Sequence, residues 1–115
     1  MTDTRMVPNP GAEAGYTKTG NHNVTTMPCL LDPHVHFRDW AQSGKETIRH
    51  GFESALNSGV TEIFDMPNTV PPLTEADAIY ARLEDARRAI ASFPREVASR
   101  LSYQLYAGIT PDHTR

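Results

Sequence analysis

The chain has 115 residues, room for one ordinary domain. Eleven Lys and Arg stand against fourteen Asp and Glu, a formal net charge of −3, which excludes the basic footprint of a nucleic-acid binder and of a polybasic membrane-surface protein. No apolar run approaches the roughly 20 residues of a membrane span, and no apolar stretch of signal-peptide length stands at the N-terminus, so the expected compartment is the cytoplasm. A lone cysteine suits a reducing compartment.

Residues 1–26 read as a flexible arm. Pro8, Pro10, Gly11, Gly15 and Gly20 punctuate it without apolar periodicity, and neither helix nor strand is expected there. The ordered domain is expected over 27–115. Residues 29–37 alternate as a strand does, with Leu31, Pro33, Val35 and Phe37 on one face. Asp32, His34 and His36 fall on the other, and Arg38 follows in phase. Pro33 has no N–H and belongs near a strand end.

Ser43 and Glu46 have the spacing of a capping box and predict a helix to about residue 58. Ile48, Phe52, Ala55 and Leu56 form its apolar stripe, and Gly59 is placed as its stop. Gly51, inside this helix, costs about 1 kcal/mol against Ala, which points to close packing there. A second strand is expected over 60–66, then a loop stiffened by Pro67, Pro71 and Pro72. Thr74 with Asp77 predicts the next N-cap, and the helix runs to about residue 92. Ile79, Leu83, Ala86 and Ile90 make its inner stripe, while Arg82, Glu84, Asp85, Arg87 and Arg88 are read as a solvated face. Residues 101–107 are the third strand. The order β-α-β-α-β calls for an α/β fold with a parallel sheet and crossover helices. An open doubly wound sheet fits this pattern, and so does the opening of a (β/α)8 TIM barrel.

His34 and His36 stand at i and i+2 on a strand, so both imidazoles project from one face and can reach one cation. Neutral imidazole suits zinc. The pair lies at the C-terminal end of its strand, where α/β folds place their sites. Asp32 is a candidate to orient a metal-bound ring through its second N–H. Arg38 offers a guanidinium fork for a carboxylate. Asn68 follows the second strand directly, on the same sheet edge as Arg38, and its amide can serve the same anion or simply form a turn. Asp65 is read as structural or as an acceptor at the site's edge, and Trp40 as packing or lining the site's mouth. His50 is read as solvent-facing, and His22 and His113 carry no pattern.

Together these residues resemble the dihydroorotases of the amidohydrolase superfamily. The resemblance rests on Leu31-Asp32-Pro33-His34-Val35-His36-Phe37-Arg38-Asp39, on Lys45-Glu46-Thr47, and on Ser58-Gly59-Val60-Thr61. It continues in Asp65-Met66-Pro67-Asn68-Thr69 with Pro71-Pro72, and in Leu105-Tyr106-Ala107-Gly108, covering about 27–110. It implies the N-terminal portion of a metal-dependent (β/α)8 hydrolase of cyclic amides. His34 and His36 would then be zinc ligands, in a complete enzyme expected to hold two zinc ions. Arg38 and Asn68 would hold the carboxylate of a small-molecule substrate, dihydroorotate or N-carbamoyl-L-aspartate, in pyrimidine biosynthesis.

The chain departs from the family's pattern in three places. Cys29 stands where Gly is usual. The arm is short and lacks the extra β-domain of many relatives. A complete barrel takes about 250 residues, so the bridging modified lysine, two later histidines and catalytic aspartate would lie beyond Arg115; Lys18 and Lys45 are wrongly placed for that role. The chain therefore reads as a fragment, expected to be inactive alone. The alternatives are a hydantoinase- or allantoinase-like amidohydrolase, which needs no carboxylate clamp, and an inert structural homologue. The sequence leaves a homo-oligomer open.

Overall fold

A computed structural model describes residues 17–18 and 25–114. Most of the expected arm, His22 included, lies outside the described residues. Within that arm, β1 (Thr17–Lys18) pairs antiparallel with β2 (Thr25–Thr26), a short ladder where no strand was expected. The remaining elements are β3 (Leu30–Val35), α1 (Ile48–Asn57), β4 (Val60–Asp65), α2 (Ala76–Ala91), α3 (Arg95–Ala98) and β5 (Ser102–Leu105). Strands β3, β4 and β5 form a parallel sheet in that order. The β-α-β-α-β reading is thus correct for 30–105, with α3 as an unforeseen single turn behind Pro94.

One core holds the layers together. Phe37, Ile48, Phe52, Ile63 and Ala86 are buried in a single cluster, with Val35, Val60, Leu101 and Tyr103 packed against it. Phe52 stands at its centre, edge-on to Phe37 at 5.2 Å and to Tyr103 at 5.8 Å between ring centroids. Such aromatic pairs contribute about 0.5–1.5 kcal/mol each beyond area burial. Ile63 and Asp65 face the helices, so alternation turns Phe64 to the opposite face, where it meets the ring of Tyr106.

The close packing expected at Gly51 is present. A Cβ there would sit 2.5 Å from Phe37 Cδ1, so α1 approaches the end of β3 only because position 51 has no side chain. Gly59 ends α1 in the left-handed region, φ 78°, and its carbonyl accepts from Leu30 N–H, joining helix stop to sheet.

Three local expectations are corrected. Thr47, not Ser43, caps α1, its hydroxyl accepting from His50 N–H; Ser43 is consumed by a 3-10 turn over Trp40–Gln42. Glu75, not Thr74, stands at the N-cap of α2, without a side-chain bond. The face assignment of β3 breaks at a bulge. Asp32 pairs with Ile63 and Val35 with Asp65, so Pro33 and His34 together oppose Phe64. The extra residue shifts the phase. Leu31, expected on the core face with Val35, is 47% exposed, and Asp32 lies on the helix side, lining a cavity with Val35, Gly51 and Ser54.

The largest correction concerns Arg82. It is fully buried rather than solvated, paired with Asp65, also fully buried. Arg82 Nε and Nη2 donate to Asp65 Oδ2 at 3.0 and 2.6 Å, and Tyr103 Oη donates to the same oxygen at 2.7 Å. Asp65 is therefore structural, and its other oxygen is also an acceptor for Phe37 N–H at 3.0 Å where the chain leaves β3. Burial, then the neighbouring Asp65 carboxylate, push the Tyr103 hydroxyl far above its ordinary value.

Candidate functional site

Because β3 and β4 run parallel, their C-terminal ends share one sheet edge, and Val35 C=O accepts from Met66 N–H there at 2.9 Å. The chain leaves β3 through His36, Phe37 and Arg38, and leaves β4 through Pro67 and Asn68. The loop after β4 is tied down at several points. Pro67 C=O accepts from Leu73 N–H, and the buried Thr69 hydroxyl donates to Pro71 C=O at 2.6 Å. Asn68 is therefore presented from a fixed platform.

The structure brings His34, His36 and Asn68 together. The two imidazoles lie 5.2 Å apart between centroids, inclined at 64°. His36 Nδ1 is 2.8 Å from Asn68 Oδ1. An amide oxygen only accepts, so this contact calls for the hydrogen on Nδ1, and in the neutral ring that tautomer leaves Nε2 with its lone pair. Asn68 keeps both N–H donors of its amide for another partner.

Asp32 does not orient either ring. Its Oδ1 accepts from the backbone N–H of His34 at 3.1 Å, a local turn contact. The amide oxygen of Asn68 fills the orienting role that the sequence suggested for Asp32, and only the fold brings it across 32 residues.

Arg38 sits two residues past His36 in a strained turn. Arg38, Asp39 and Trp40 have φ of 30°, 57° and 49°, three successive non-glycine residues at positive φ. Asp39, with ψ −165°, occupies a region otherwise reserved for glycine. Its carboxylate holds the turn, Oδ1 accepting from Trp40 N–H at 2.8 Å and Oδ2 from Ile48 N–H at 2.9 Å. The second contact satisfies the first free amide of α1. Among the described residues, no hydrogen bond or ion pair engages the Arg38 guanidinium, and none joins it to His34, His36 or Asn68.

Trp40 packs rather than gapes. Its indole N–H donates to Asp85 at 2.6 Å, and the Arg82 guanidinium lies 5.4 Å from the ring centroid. Partial burial works against the Asp85 carboxylate, yet hydrogen bonds from Trp40 and Arg88 hold it below its usual range. His50 is solvent-facing as expected and pairs with Glu46. His113 Nε2 lies 3.3 Å from a Glu75 carboxylate oxygen.

The spacing of the two histidine rings is compatible with a shared metal ion. With a Zn–N bond near 2.0–2.1 Å, an imidazole centroid stands about 3.2 Å from the ion, so two rings at tetrahedral angles are about 5.2 Å apart. The observed separation is 5.2 Å. Among the described residues no group of three or more His, Cys, Asp or Glu gathers around one point.

Asp39, Arg82 and Tyr103 were not singled out from the sequence as parts of this region. For Arg82 a signal existed. Ile79, Arg82 and Ala86 are spaced by three and four, which puts the arginine on the inner stripe of α2.

A parallel α/β unit whose polar side chains collect at the C-terminal edge of its strands is the arrangement in which α/β enzymes build their sites. Residues 25–112 match the Amidohydrolase family, and the chain belongs to that family. It is 41% identical to a dihydroorotase of Pyrobaculum aerophilum over 86 residues, 75% of this chain and 20% of the relative. It is 38% identical to a dihydroorotase of Ehrlichia canis over 96 residues, 82% and 19% respectively. A dihydroorotase of Thermococcus kodakarensis is 47% identical over 57 residues, 50% of this chain and 14% of that protein. The chain thus spans about a fifth or less of the curated relatives it matches. Among the described residues no helix is long and apolar enough to cross a membrane.

Proposed function

We propose that residues 27–115 are the opening β-α-β-α-β portion of a (β/α)8 barrel in a dihydroorotase-type hydrolase. That enzyme would interconvert dihydroorotate and N-carbamoyl-L-aspartate. The observation that carries this reading is the 2.8 Å contact between His36 Nδ1 and Asn68 Oδ1, which joins the two strand ends into one site.

His34 and His36 would hold zinc. When bound, zinc lowers the pKa of a water and polarises the amide carbonyl, which makes ring opening accessible near neutral pH. The chain's own residues do the rest. Asn68 holds His36 in the tautomer whose Nε2 faces outward. Its remaining N–H donors and the unengaged guanidinium of Arg38 bind the carboxylate of the substrate, a fork on one side and an amide on the other. Two donor groups on one carboxylate leave the ring little freedom to rotate, so the scissile amide is presented in one orientation. Catalytic zinc takes three protein ligands, so the two histidines alone are expected to bind it weakly and to give no turnover. Cytoplasmic location is the expectation for a pathway enzyme of this type.

The test is a substrate panel on the full-length, zinc-loaded protein. Dihydroorotate is expected to be preferred over an uncharged hydantoin ring. Arg38→Gln is expected to raise KM for dihydroorotate about ten- to a hundredfold, the value of a charge-assisted hydrogen bond, and to leave the hydantoin unaffected. Preference for the uncharged ring would overturn the carboxylate assignment and favour a hydantoinase-like activity. Absence of both turnover and stoichiometric zinc would favour an inert homologue.

A further inference from the structure

The carboxylate-binding role of Arg38 raises the question of what holds a strained, three-residue left-handed turn in place beside the histidines. Asp39 fixes the far side of that turn through Trp40 and Ile48. The near side is held from beneath. Asp65 Oδ1 accepts from Phe37 N–H at 3.0 Å, and Arg82 Nη1 donates to Arg38 C=O at 3.0 Å. The two clamping side chains are themselves locked together, since both remaining nitrogens of the Arg82 fork grip Asp65 Oδ2. One fully buried ion pair therefore fastens both peptide groups that flank the Phe37–Arg38 step.

We propose that the buried Asp65–Arg82 pair is a positioning device that sets the direction of the Arg38 side chain and thereby the enzyme's selectivity for an anionic ring. The proposal rests on Arg38 being the carboxylate ligand. A buried ion pair is weak evidence for stability, because desolvation offsets most of its attraction; conserving energy is thus a poor explanation for this pair, and fastening a backbone is a better one. Only the guanidinium geometry serves. Its planar fork spans Asp65 and the Arg38 carbonyl at once, whereas an ammonium is a single point of attachment.

The experiment compares Arg82→Lys, the double variant Asp65→Leu/Arg82→Met and the control Arg87→Ala with the parent, in the full-length protein. Arg82→Lys keeps the charge and loses the span; the double variant removes the pair without stranding a charge. Both are expected to stay folded by circular dichroism. In both, the amide hydrogens of Phe37, bonded to Asp65, and of Asp39, bonded to Glu46 C=O in the peptide whose carbonyl Arg82 grips, should exchange at least tenfold faster than in the parent. KM for dihydroorotate should rise about tenfold or more, with a much smaller change for an uncharged hydantoin. Arg87→Ala, on the exposed face of α2 where Arg87 pairs with Glu84, should leave both readouts at parent values. Unchanged exchange at Phe37 and Asp39 in folded Arg82→Lys would overturn the clamp. Equal losses on charged and uncharged rings would overturn its link to selectivity. If the parent turns over no dihydroorotate, the functional reading fails on its own, and the exchange rates still decide the clamp.

Discussion

Replacing Gly51 by alanine sets two effects of known size against each other. Alanine in a helix interior is favoured over glycine by about 1 kcal/mol. Against this, the new methyl carbon would lie 2.5 and 2.6 Å from Phe37 Cδ1 and Cε1, about 1 Å inside the 3.5–4.0 Å optimum for carbon pairs. Phe37 has little room to retreat. It is buried, its ring abuts Phe52, and its N–H is held by Asp65. Overpacking costs about 1–3 kcal/mol, and a ring pinned on two sides belongs at the top of that range. The expected net loss is about 2 kcal/mol, or roughly 8 °C or more in Tm for a domain of this size. Urea and thermal unfolding measure it directly. Phe37→Leu added to Gly51→Ala should recover part of the loss, because a smaller side chain vacates the contact. A Gly51→Ala variant as stable as the parent would refute the packing argument and leave helix propensity as the dominant effect.

Two further outcomes follow from the buried ion pair. Asp65→Ala leaves the Arg82 guanidinium uncompensated in the core and takes the acceptor from Phe37 N–H and the Tyr103 hydroxyl, and should cost about 3–5 kcal/mol by denaturant titration. The Tyr103 hydroxyl is held protonated by burial and by Asp65, so its pKa in the folded state lies above the unfolded value. Its contribution is fully present below about pH 10 and is lost as pH rises beyond that. Stability measured through the alkaline range should fall more steeply in the parent than in Tyr103→Phe, and equal slopes would contradict the assignment.

Much of this architecture is written locally. The i, i+2 spacing of His34 and His36 is enough to bring the imidazoles together, and Gly51 announces a close approach because nothing else justifies its cost in a helix. What was not legible depended on contacts between distant segments. The bulge at Pro33 and His34 is set by pairing with β4, so the alternation placed Leu31 and Asp32 on the wrong faces. Ser43 and Glu46 have a cap's spacing, but Asp39 reaches across nine residues to the Ile48 amide and moves the helix start. Arg82 reads as solvated because four charged neighbours surround it in sequence. Its burial becomes intelligible only once Asp65 is seen facing it from the strand.

Trp40 is the only tryptophan in the chain, and it is seated on the Arg82 guanidinium with its indole N–H on Asp85. A cation and a carboxylate flank one fluorophore at the foot of the turn that carries Arg38. Its emission is therefore a built-in optical gauge. Any event that tilts that turn changes the field around the indole, and wavelength and intensity would register it without a label or a coupled assay.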